Sequence, residues 1–252
     1  MEQTKPKRRR RRARRRKIFF LTLLVLIVFL AAGALSLTVL FPAQQIRTEG
    51  SQLYTAEEII EASGIKKGEN LLRLSRKRVL ANLQKELPYI DNLKLEKRFP
   101  NGVTLKVTDA QPEYCFTVSQ NRYLTGQSYR ILAENPAETQ EVISVSAAVT
   151  VKDSKIVFEN AVDRKVLETL MTYRAQLNLP IHSVDLSDPS SLRIRLANRF
   201  EVQLGTDSEL GGKMAHLSSM LSAMEEGKGG TINLASWTPG SPQAYFIEGN
   251  LD

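Results

Sequence analysis

The sequence predicts an α+β protein behind one N-terminal transmembrane helix: a small β-α-α-β-β domain, then a larger mixed β-sheet domain with two flanking helices. Three observations carry that fold class. Residues 18–41 form an uncharged, apolar run of 24 residues. Residues 43–111 pass through strand and helix patterns in the order β-α-α-β-β. Residues 112–252 hold short apolar runs between polar turns, interrupted by two long amphipathic stretches.

The first element is the apolar run. A helix of that length spans about 36 Å, more than the roughly 30 Å hydrocarbon core, so it can cross with some tilt. The alternative is a cleaved signal with Ala32-Gly33-Ala34 as its cleavage site, but signal cores run to about 7–15 residues and this run continues to Phe41. Its N-terminal flank carries Arg8, Arg9, Arg10, Arg11, Arg12, Arg14, Arg15, Arg16 and Lys17, whereas Pro42 to Ile60 offers only Arg47. Cationic flanks stay inside, so the expected topology is a basic cytoplasmic tail over 1–17, a span over 18–41 and two outer domains over 43–111 and 112–252. Of 35 Lys+Arg and 27 Asp+Glu, residues 1–17 hold eleven cations and one anion, leaving 24 against 26 outside. A nucleic-acid-binding domain spreads its cations over a folded face, so no nucleic-acid partner is expected. The single cysteine, Cys115, excludes an intramolecular disulfide and fits a bacterial surface protein.

In the first outer domain, QQIRTEG reads as a strand. TAEEIIEASG reads as a helix with Thr55 as N-cap, Glu58 completing a capping box and Gly64 closing it. A second helix starts at Ser75, stacks Val79, Leu80, Leu83 and Leu87 on one face, and ends at Pro88. NLKLEKRF alternates, with Leu93, Leu95, Lys97 and Phe99 on one side, and Pro100-Asn101-Gly102 predicts a turn using positive φ. VTLKVTD returns with Val103, Leu105 and Val107 inward. Both helices then cover one face of a three-stranded sheet.

The second outer domain begins with YCFTV, RYLTG, VISV and KIVF as strands, and Gly126 to Gln140 reads as a long polar loop. AVDRKVLETLMTYRAQLNLP is helical, with Val162, Val166, Leu170, Tyr173 and Leu177 in register. SLRIRLANRFEVQLG is a hairpin turning at Ala197-Asn198. The next helix stacks Leu210, Met214, Leu217, Leu221 and Met224, and Gly227 to Gly230 ends it. TINLA and AYFIE are the last strands; placed at a sheet edge, AYFIE could accept a partner's strand. Met214, Met220 and Met224 fit core filling or an adaptable partner face.

Catalytic chemistry finds little support. His182 and His216 are the only histidines, too few with Cys115 for a metal site. No nucleophile-elbow glycines surround a serine, and Gly211-Gly212 and Gly229-Gly230 lack the lysine and strand of a phosphate loop. The expectation is a protein that is not an enzyme and takes no cofactor.

The first outer domain resembles the POTRA domain of the FtsQ/DivIB cell-division family. The residues carrying this are Thr55, Glu58, Gly64, Gly68, Asn70, Pro88, Ile90, Arg98 and Pro100. EVQLG, Lys213, the following helix and GTINL are similar to that family's C-terminal β domain, with Asn233 where the family has Asp. The resemblance implies a scaffold at the division septum, single-pass in the cell membrane, that binds FtsL-like and FtsB/DivIC-like single-span proteins and joins them to the septal peptidoglycan synthase complex. It places partner contacts at Gly230, Thr231, Ile232, Asn233 and Leu234, and at Tyr245, Phe246 and Ile247 in the last strand. Two other classes stay open: a POTRA-containing transport component and a membrane-tethered cell-wall enzyme.

Overall fold

The computed structural model describes residues 19–29, 41–137, 142–197, 199–225 and 228–249. Helix α1 is described over 19–29, where every residue is exposed and Thr22 returns its hydroxyl to the Phe19 carbonyl (2.9 Å). Eleven residues rise about 16 Å. Among the described residues no helix is long and apolar enough to cross a membrane. The basic residues Arg8 to Lys17 and the remainder of the apolar run short of Phe41 lie outside the described residues, as do Asn198 and Gly227.

The chain divides after Asp109 into two units. In the first, β1 (Gln45–Glu49), β3 (Gly102–Asp109) and β2 (Ile90–Arg98) form a sheet in the order β1-β3-β2, parallel then antiparallel. Helices α2 (Ala56–Ser63) and α3 (Arg76–Glu86) supply Ile59, Val79 and Leu83 to a core shared with Leu93, Val103, Leu105 and Val107. The turn after β2 departs from the expected positive-φ hairpin: the Phe99–Pro100 peptide is cis and neither Asn101 nor Gly102 has positive φ. Phe99 does not point inward either. Leu93, Leu95 and Lys97 keep the expected alternation opposite Val107, Leu105 and Val103, but β2 ends at Arg98 and Phe99, in the turn beyond it, is 54% exposed.

The second unit is a nine-stranded sheet, β14-β13-β12-β11-β10-β7-β4-β5-β6. Its strands are β4 (Tyr114–Val118), β5 (Asn121–Thr125), β6 (Ile131–Glu134), β7 (Ile143–Ser146), β10 (Ile181–Asp185), β11 (Leu192–Leu196), β12 (Phe200–Gly205), β13 (Gly230–Asn233) and β14 (Tyr245–Glu248). β8 (Val149–Lys152) and β9 (Lys155–Phe158) form a separate hairpin. Helices α4 (Ala161–Leu177) and α5 (Leu210–Ala223) bury Val166, Leu167, Leu170, Met214 and Leu217 against Ile194, Val202, Leu204 and Ile232 of one sheet face. On the opposite face Arg193 and Arg195 are exposed and Glu201 and Gln203 half-buried.

Two expectations need correction here, and one burial was not foreseen. Part of the segment read as a loop is strand β6, which exists because β5 pairs with it. Val162 is exposed while its neighbour Asp163 is buried, so the inward stripe of α4 runs through Asp163, Val166, Leu167 and Leu170; Asn160 caps the helix by accepting Val162 N–H (2.9 Å). Lys213 is 1% exposed despite its charge. Its Nζ donates to the Leu204 and Thr206 carbonyls at 2.7 and 2.9 Å, tying the end of β12 to α5. Burial holds its pKa below the ordinary lysine value.

Candidate partner-binding edge

The C-terminal strands build an edge. β13 runs parallel to β12 and antiparallel to β14, so both its sides are used. Gly230 has φ of 148°, and a Cβ there would fall 2.1 Å from the Ile247 carbonyl oxygen, so only glycine lets β14 approach. Ile232 and Leu234 are fully buried. They are the base on which β14 rests and cannot meet a partner. Thr231 and Asn233 are half-buried; Asn233 fixes itself by donating Nδ2–H to Gln203 Oε1 (3.0 Å) and accepting Ala235 N–H on Oδ1 (2.9 Å).

β14 divides its side chains. Phe246 opposes Ile232 and leans on Phe200, ring centroids 6.3 Å apart. Tyr245 and Ile247 point the other way and are 56% and 66% exposed. Its backbone divides too. Gly249 N–H donates to the Gly229 carbonyl (3.1 Å). Antiparallel ladders alternate bonding and non-bonding pairs, so Ile247 and Tyr245 bond inward to β13. The N–H and C=O of Phe246 and Glu248 then face outward. Among the described residues no strand lies beyond β14. The loop leading to it is pinned by Trp237, whose ring packs on Gly212 of α5 and sits 6.1 Å from the His216 ring. Sequence reasoning passed over Glu248 and Trp237. The paired glycines 211 and 212 were the available sign of a close approach to α5.

In the first unit Thr55 Oγ1 accepts Glu58 N–H (3.3 Å) and Glu58 Oε2 accepts Thr55 N–H (2.8 Å). That backbone bond holds the Glu58 carboxyl below its usual range. Gly64 takes φ of 66° and caps α2. Gly68 N–H donates to the Ala43 carbonyl (2.9 Å), and Asn70 Oδ1 accepts Leu72 N–H (2.7 Å) to start a 3-10 turn. Pro88 follows the end of α3, Ile90 is fully buried, and Arg98 and Pro100 flank the turn after β2. These residues shape the unit; they do not gather at one site. Likewise His182, His216 and Cys115 lie on β10, α5 and β4. Among the described residues no group of three or more His, Cys, Asp or Glu could hold a metal.

Fold and edge together define a two-unit α+β protein whose first unit is of POTRA type. Residues 41–109 match the family described as "POTRA domain, FtsQ-type", and residues 130–235 match "Cell division protein FtsQ/DivIB, C-terminal". The chain belongs to the FtsQ/DivIB family. It is similar to cell division protein DivIB of Clostridium acetobutylicum, 28% identical over 178 residues, which are 69% of this chain and 71% of that one. Cell division protein FtsQ of Streptomyces venezuelae is 30% identical over 88 residues, 34% of this chain but 32% of the relative. FtsQ of Corynebacterium glutamicum is 20% identical over 178 residues, covering 70% and 77%.

Proposed function

We propose that this protein is a non-enzymatic scaffold of bacterial cell division, held at the septum. In this reading residues 1–17 are a cytoplasmic tail, 18–41 a single membrane span, and 43–111 and 112–252 the outer POTRA and β domains. The β domain binds FtsL-like and FtsB/DivIC-like proteins and through them joins septal peptidoglycan synthesis. The observation that supports it most is the open outer side of β14, with outward backbone groups at Phe246 and Glu248 beside exposed Tyr245 and Ile247. A partner strand laid there would complete four backbone hydrogen-bonding groups, and its side chains would meet Tyr245 and Ile247.

The test is co-purification of the detergent-solubilised full chain with its FtsL- and DivIC-like partners. Glu248→Pro removes one outward donor and leaves the inward ladder to β13 intact, so capture should fall at least tenfold while the unfolding transition stays in place. Truncation after Leu234 should abolish capture. Undiminished capture by folded Glu248→Pro and by the truncation would refute the edge as the site. Alanine at His182, His216 and Cys115 should leave division intact; loss of division by a folded variant would contradict the non-enzymatic role.

A further inference from the structure

One pole of the POTRA unit carries an exposed apolar cluster at the place where the 18–41 run enters the folded chain. Phe41, the last residue of that run, has its ring edge-on to Phe99 with centroids 5.0 Å apart. The Phe41 carbonyl accepts Leu71 N–H (2.9 Å), which brings Leu72 alongside. Leu72 is 47% and Phe99 54% exposed, although the adjacent Leu71 is fully buried. Cations surround them. Lys97 reaches the Leu72 carbonyl with Nζ (3.4 Å), Arg73 follows Leu72, and Arg98 precedes Phe99. Arg98 and Phe99 line one hollow of about 230 Å³. Lys97, Arg73 and Arg98 enter no ion pair among the described residues, whereas Glu69 on the same side is taken by Arg78.

We propose that this pole docks on the membrane surface: Phe99 and Leu72 enter the acyl boundary and the three cations meet lipid phosphates. The inference rests on the reading of 18–41 as membrane-embedded. Two things select a lipid surface as the occupant. Chain continuity puts Phe41 at the end of the apolar run, so the cluster it touches lies within reach of the headgroups. The composition, apolar tips flanked by Lys and Arg that enter no ion pair among the described residues, is that of an interfacial anchor. The opposite pole differs: Asp109 accepts Ser51 Oγ–H and Gln52 N–H (2.8 and 2.7 Å) beside exposed Leu53. The length of β3 separates the poles by about 24 Å.

The test uses the full chain with Cys115→Ser in nanodiscs of phosphatidylglycerol and phosphatidylcholine containing a spin-labelled quenching lipid. A fluorophore is placed in turn at Asn101→Cys beside Phe99, at Leu53→Cys on the far pole, and at Leu24→Cys in the apolar run. The label at 101 should be quenched at least twofold more than that at 53. Phe99→Ser, or Lys97→Glu with Arg98→Glu, should bring it down to the level at 53 with far-ultraviolet dichroism unchanged. Equal quenching at 101 and 53 with strong quenching at 24 overturns the docking while the span stands. Absence of quenching at 24 overturns both.

Discussion

The nine-stranded sheet ends in two edge strands that are treated differently. At β6, the β8–β9 hairpin covers the start of the edge: Ile131 N–H donates to the Ser154 carbonyl and Ile156 N–H to the Tyr129 carbonyl, both at 2.9 Å. Tyr129 is itself buried, stacked on Tyr114 at 5.6 Å and edge-on to Phe158 at 5.3 Å. At β14, no strand lies outside among the described residues, and Tyr245 and Ile247 are exposed. Natural sheets blunt edges that are not used, because unpaired backbone groups recruit other strands. The hairpin covers the start of one edge, whereas β14 carries exposed Tyr245 and Ile247 on an edge with no strand beyond it among the described residues, the contrast on which the proposed partner site rests.

The contrast can be broken from either side. Ile156→Pro removes the bond to Tyr129 and a side chain that is 4% exposed, so it should cost about 2–5 kcal/mol in urea unfolding. It should also make the protein self-associate in sedimentation velocity through β6. Gly230→Ala should cost about 1–3 kcal/mol, from backbone strain at φ of 148° and the clash with Ile247. It should detach β14 and with it partner capture, while leaving Tyr129 fluorescence unaltered.

A pH series sharpens the comparison with a smaller effect. Burial pushes the Tyr129 hydroxyl up to about 12, from an ordinary 10. A tyrosine whose folded pKa is raised contributes stability that is complete below 10 and lost as pH climbs through the folded value. Wild type should therefore lose stability between pH 10 and 12, and Tyr129→Phe should lose less over that window. Equal slopes for the two proteins would show that Tyr129 titrates freely.

What the sequence disclosed follows from how local each signal is. Thr55, Glu58 and Gly64 act within one helix, and the alternation from Leu192 to Leu204 acts within one hairpin, so both were readable in the chain. Strand β6 was not: Ile131 and Leu132 are two apolar residues in a polar stretch, and only pairing with β5 makes them a strand. Lys213 was recognised as a family position, but its burial depends on two carbonyls at the end of β12 that no helical periodicity reveals. Of the candidate site, the last two strands were legible as strands. Their order was not, and it is the order that sends Ile232 and Leu234 into the core and leaves Tyr245 and Ile247 outside.

The smallest change in stability belongs to Glu248→Pro, within about 0.5 kcal/mol because the residue is exposed and its N–H points outward. The most direct test of the open edge needs no substitution. Amide hydrogen exchange of the full chain, alone and with the proposed FtsL- and DivIC-like proteins, reads each backbone N–H of β14 separately. Alone, Tyr245 and Ile247 should be protected and Phe246 and Glu248 should exchange freely; in the complex all four should be slow. Protection of Phe246 and Glu248 in the isolated protein, or their free exchange in the complex, would contradict strand addition at β14.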